Sequence, residues 1–80
     1  MKTRISDDLQ IRLLEHFTTP RPSRLIHFEG YSRDQIHQAI YALHALGFLW
    51  KNPVRGTSGM IYGTSPRGRQ LLDRLIKKAD

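Results

Sequence analysis

The chain has 80 residues, enough for one domain with a modest core. Its net charge is +6, and it contains no cysteine, which excludes disulfides and thiolate-ligated zinc. No apolar run approaches the roughly 20 residues needed to cross a bilayer, and the first residues do not resemble a secretory signal, so we expect a cytoplasmic protein without a membrane partner.

Four helices are predicted by residues that cap helix ends and by apolar residues at helical spacing. Their ranges are about 6–17, 24–29, 33–46 and 66–79. A serine stands at the start of each one, and in the third helix Ser32 and Gln35 form a capping box. Two prolines in residues 18–22 make that stretch a connector, or at most a short edge strand.

A hairpin is predicted between the third and fourth helices. The short β-prone runs Phe48–Trp50 and Met60–Tyr62 flank a loop rich in turn-forming residues, which predicts a hairpin over about 48–64. Ser65-Pro66 then suits the N-cap and the first position of the last helix. Residues 1–80 therefore form one domain of mainly α structure with a small β-hairpin, an α+β fold.

The third helix separates an apolar arc from a polar one. At about 100° per residue, the apolar arc holds Ile36, Ala39, Ile40, Leu43 and Leu46. The other arc holds Arg33, Asp34, His37, Gln38, Tyr41 and His44. We expect the first arc to enter the core and the second to meet any partner.

The positive charge is unevenly distributed along the chain. Acids and bases cancel between Met1 and Phe17, whereas Lys51 to Arg69 contains four cations and no acid. A localised basic surface is typical of proteins that bind polyanions, although it also occurs as a solvated basic face that keeps a protein soluble.

Two stretches of the sequence resemble the winged helix-turn-helix domain of bacterial and phage transcription regulators. Ile36–Leu49 (IHQAIYALHALGFL) resembles the recognition helix and first wing strand. Tyr62–Leu72 (YGTSPRGRQLL) resembles the second wing strand and the start of the last helix in MarR-like and PadR-like proteins. The resemblance implies a three-helix core with a wing and a C-terminal helix. The sequence departs from those groups at Thr64, where they prefer leucine, and in having no long dimerisation helix.

The resemblance also implies binding to double-stranded DNA as a transcription regulator, with the third helix in the major groove and the basic wing on the backbone or minor groove. In this role Arg33 would contact guanine or a phosphate, and Gln38 would contact adenine. We expect Asp34 to orient Arg33 or another cation. The full set of residues expected at the DNA is Arg21, Arg24, Arg33, His37, Gln38, Tyr41, Lys51 and Arg55.

Other functions have less support in the sequence. His37 and His44 are about two turns apart, roughly 10 Å, which is too far for them to share a metal ion comfortably. Ser32 is used as a cap, and no phosphate-binding glycine loop occurs. We therefore expect no catalytic residue, metal, cofactor or small-molecule ligand. A homodimer stays open, with Ile11 as one hint of a contact. Two alternatives also remain: a winged domain that binds another protein, and an RNA-binding domain.

Overall fold

The computed structural model describes residues 5–24, 26–57 and 59–79. These residues form three helices and a three-stranded antiparallel sheet, an α+β fold. The elements in chain order are α1 (Asp7–His16), β1 (Arg21–Pro22), α2 (Arg33–Ala45), β2 (Leu49–Pro53), β3 (Met60–Thr64) and α3 (Pro66–Ala79). The order of strands in the sheet is β1-β3-β2. Within the described ranges, no helix is both long and apolar enough to span a membrane.

Serine side chains begin all three helices, as the sequence predicts. The Ser6 hydroxyl accepts a hydrogen bond from the Leu9 amide at the start of α1. At α2 the capping box is complete: the Gln35 amide donates to the Ser32 hydroxyl and the Ser32 amide donates to Gln35 Oε1. These bonds satisfy amides that have no partner within a helix, which is why the helix starts could be located from sequence.

The prediction of a helix over residues 24–29 is wrong. The described residues of this stretch form only turns: the Ile26 amide donates to the Ser23 carbonyl at 3.3 Å, and the Tyr31 amide donates to the Phe28 carbonyl at 3.2 Å. They contain no helix or strand before α2. A six-residue helix gains too few hydrogen bonds to offset the cost of nucleation. Phe28 is held by tertiary contacts, with its ring edge-on to His16 at 5.9 Å. Leu25, which belonged to the predicted helix, lies outside the described residues.

One hydrophobic core joins all three helices and the sheet. Its buried members are Leu9, Leu13, Leu14, Phe17, Ile36, Ala39, Ile40, Leu43, Leu49, Leu72 and Leu75. Leu46, predicted to be in the core, is 58% exposed and forms the C-cap of α2. Ile11 is half-buried and packs against the core, so its apolar side chain is explained without a dimer contact.

The start of α3 is where three parts of the chain meet. The Thr64 hydroxyl donates to the Leu14 carbonyl at 2.7 Å, and the Thr64 amide donates to the Phe17 carbonyl. The Ser65 hydroxyl donates to the Gly47 carbonyl at 2.7 Å and also caps α3 by accepting from the Gly68 amide. Thr64 thus supplies a donor to the last turn of α1, whose carbonyls lack helical partners.

Gly68 allows α3 to lie against the segment that follows α2. A Cβ atom at this position would overlap the Phe48 carbonyl oxygen and would lie 2.8 Å from the Thr64 methyl group. The obstructing oxygen belongs to the backbone, so a larger residue would force the helix away from β2 rather than displace a flexible side chain.

We predict that Gly68→Ala lowers the free energy of unfolding by about 1–3 kcal/mol, the usual cost of overpacking. This loss should appear although alanine favours a helix interior by about 1 kcal/mol over glycine. Urea denaturation followed by circular dichroism measures it. Gly59→Ala is the control, because a Cβ there is no closer than 3.5 Å to a neighbour. A Gly68→Ala variant as stable as the wild type would contradict the close approach.

Candidate nucleic-acid interface

All eight residues expected at the DNA are exposed. Tyr41, the most exposed large apolar side chain of the described residues, has 76% of its surface accessible. None of the eight forms an ion pair with another described residue. The surface predicted to meet a partner is therefore open and carries uncompensated positive charge.

The exposed face of α2 has two flanks. Arg33, His37 and His44 share the flank towards the sheet, where the His44 ring lies edge-on to Tyr62 with 6.5 Å between centroids. Gln38 lies on the other flank and borders a cleft of about 230 Å³ between α2 and the start of α1. Arg33 and Gln38 are thus about 140° apart around the helix axis at 100° per residue. The structure does not bring these two predicted base-contacting residues together.

The Asp8 carboxylate, in the first turn of α1, has two partners within the molecule. The Tyr31 hydroxyl donates to the Asp8 carboxylate at 2.8 Å, and Arg12 pairs with the same carboxylate at 2.9 Å. These contacts, the tyrosine hydrogen bond first, hold the pKa of Asp8 below its usual value. Asp34 forms no ion pair with the described residues, so the expectation that it orients Arg33 or another cation is not met in this structure.

The sheet places a tyrosine between two of the predicted cations. Arg21 pairs directly with Tyr62 across β1 and β3, and Tyr62 pairs directly with Lys51 across β3 and β2. Directly paired residues of antiparallel strands project from the same face, so the three side chains form one row, here called the Arg21–Tyr62–Lys51 row. Leu49 and Thr64, two pairs further along, lie on this same face and reach the molecule's interior.

Tyr62 is not among the residues that the sequence predicts at the DNA. The only signal was its place in a β-prone run, and its neighbours in the row come from strands that are distant in sequence. Tyr62 is half-buried, and its ring contacts Phe17 with 5.8 Å between centroids. On the other face of the sheet, the Trp50 indole covers Gly63.

The hairpin tip is an ordered turn. The strand β2 continues to Pro53, so of the two cations predicted on the wing Lys51 lies within the sheet and Arg55 lies in the loop. The Thr57 amide donates to the Val54 carbonyl at 3.1 Å, and Gly56 has φ of 81°. These values match a type II turn with Arg55 at its first central position, where glycine must follow. Arg55 therefore stands at the end of the hairpin.

A second basic surface lies beside the C-terminal end of α1. A cleft of about 400 Å³ is bordered by Arg21, Arg24 and His16. Burial and, to a lesser degree, the nearby Arg21 guanidinium lower the pKa of His16 below its usual value. The cations predicted before α2 are thus grouped around this histidine rather than on a helix.

No protein-family model matches this chain, and neither a curated protein nor a solved structure shows significant similarity to it.

The lowered pKa of His16 predicts how stability changes with pH. The folded state holds a proton on His16 less readily than the unfolded state, so its contribution is present above about pH 6.5 and is lost as the pH falls through the lowered value. His16→Phe keeps an aromatic ring against Phe17 and Phe28 but cannot titrate. We expect urea midpoints measured between pH 7.5 and pH 5 to fall more steeply in the wild type than in this variant. Parallel curves would contradict the prediction.

Proposed function

We propose that the protein binds double-stranded DNA as a sequence-specific transcription regulator with a winged-helix arrangement. In this proposal α2 enters the major groove, and the hairpin of β2 and β3 contacts the backbone or minor groove. The observation that carries the proposal is the positive charge, unpaired within the described residues, that lies on α2 and on the neighbouring sheet and hairpin. Arg33 lies on the helix, Arg21 and Lys51 lie on the sheet, and Arg55 lies at the hairpin tip.

The dimensions of α2 support this reading. The helix has 13 residues, about 20 Å in length, and the major groove of B-DNA is wide enough to admit a helix. Its outward residues include Gln38 and Tyr41, which can hydrogen-bond to base edges. The element order α1, β1, α2, β2, β3, α3 also agrees with a winged helix, apart from the irregular segment in place of a helix before α2.

We expect binding to a random-sequence DNA duplex to weaken steeply as salt rises, because released counterions drive phosphate contacts. Arg55→Ala should make the dependence of log K on log salt shallower by about one unit. Fluorescence anisotropy across a salt series measures both. Lys77→Ala is the control, since this exposed cation lies in the last turn of α3, away from the hairpin. The neighbouring Lys78 pairs with Asp7 at the start of α1. Absence of duplex binding at moderate salt would favour a protein-interaction module.

Gln38→Ala tests sequence reading separately from affinity. A bidentate glutamine–adenine contact contributes about 1–3 kcal/mol of discrimination. We expect the variant to lose about tenfold or more in preference for a duplex selected from a random pool, with nearly unchanged affinity for random DNA. Equal losses for both duplexes would show that Gln38 does not read a base. Stronger binding to the matching RNA would favour the RNA-binding alternative.

A further inference from the structure

We propose that the Arg21–Tyr62–Lys51 row binds a single backbone phosphate, so that the sheet itself is part of the nucleic-acid surface. This inference rests on the proposed function and adds a binding site that includes Tyr62. The two cations share the phosphate charge, and the tyrosine hydroxyl donates a hydrogen bond to one of its oxygens.

The register of the sheet sets the spacing of the row. Neighbouring strands lie about 4.8 Å apart, so the backbones of Arg21 and Lys51 are separated by about 10 Å with Tyr62 midway. Both cationic side chains are exposed and long enough to converge above the tyrosine. Arginine offers a planar fork of donors and lysine a compact charge, and both suit a phosphate.

The tyrosine is held in place for this role. Its ring packs against Phe17 and meets the edge of His44, so its position is fixed by α1 and α2. Among the hydrogen bonds of the described residues, none uses the Tyr62 hydroxyl. A donor is therefore available between two positive charges, neither of which is paired with a carboxylate of the described residues.

The row is also continuous with the face of α2. His44 touches Tyr62, and His37 and Arg33 follow on the same flank of the helix. A strand of nucleic acid lying along this flank would present its backbone to the sheet while its bases face α2. Phosphate contacts fix the register of a protein on DNA and carry no sequence information themselves.

A double-mutant cycle on binding to a random-sequence duplex tests whether the two cations share one phosphate. We expect Arg21→Ala and Lys51→Ala each to weaken binding about tenfold, and the double variant to lose clearly less than the product of the two losses. The salt dependence of the double variant should become shallower by about one unit. Fully multiplicative losses with a change of about two units would assign the cations to separate phosphates and overturn the proposal.

The pair Arg21→Ala and Arg55→Ala is the matched control, because Arg55 lies at the hairpin tip outside the row. Their effects should multiply. Tyr62→Phe keeps the ring that packs against Phe17 and His44, so its urea midpoint should equal that of the wild type while duplex affinity falls several-fold. If Tyr62→Phe binds the duplex as tightly as the wild type, the Tyr62 hydroxyl does not contact the phosphate.

Inorganic pyrophosphate separates failure of this site from failure of the proposed function. In ¹H–¹⁵N spectra, we expect saturable shifts of the Arg21, Lys51 and Tyr62 amides in the wild type, weakened in Arg21→Ala and retained in Lys77→Ala. Saturable shifts without duplex binding would leave the row as a phosphate site and overturn the DNA-binding proposal. If the wild-type protein shows no saturable shifts, the proposed phosphate site is wrong, whether or not the protein binds duplex DNA.

Discussion

The side-chain hydroxyls of two adjacent residues, Thr64 and Ser65, connect the end of β3 to all three helices. Thr64 bonds to the end of α1, and Ser65 bonds to the turn after α2 while capping α3. The carbonyls that they reach lie at or just beyond helix ends and have no partner within a helix, so hydroxyl donors there replace water. Because β3 ends at this junction, these bonds also connect the sheet to the end of α1 and to the turn after α2.

The acidic residues at the start of α1 are paired, whereas the cations around the sheet have no acidic partner among the described residues. Asp7 and Asp8 stand in the first turn of α1, where the helix dipole favours them, and their partners are Lys78, Arg12 and Tyr31. These acids therefore link elements to one another and leave the cations around the sheet uncompensated. A net charge of +6 in a small domain disfavours the compact state through self-repulsion. A bound polyanion would relieve that repulsion where the cations are closest together.

Features with local causes could be predicted from sequence. The three helices that form begin and end within about one residue of their predicted limits, since caps and apolar spacing act over a few neighbouring residues. The helix predicted over 24–29 does not form, because six residues gain too few hydrogen bonds to offset the cost of nucleation. Tyr62 could not be selected, since the row depends on strand register. The separation of about 140° between Arg33 and Gln38 follows from helical spacing alone. It was missed because all polar residues of the helix were assigned to one face.

The two flanks of α2 suggest how affinity and sequence choice could vary independently in such a domain. Arg33 and His37 share the flank of His44, which contacts the sheet, and the contacts of the sheet's cations with a polyanion depend on charge and salt. Gln38 adjoins the cleft beside α1, where Tyr31 and its bonds to Asp8 fix the start of the helix. A substitution at Gln38 leaves the Arg21–Tyr62–Lys51 row unchanged, and a substitution in the row leaves the Gln38 flank unchanged. Under the proposed function, base discrimination and backbone affinity thus reside on opposite sides of one helix, because the sheet lies along only one of them.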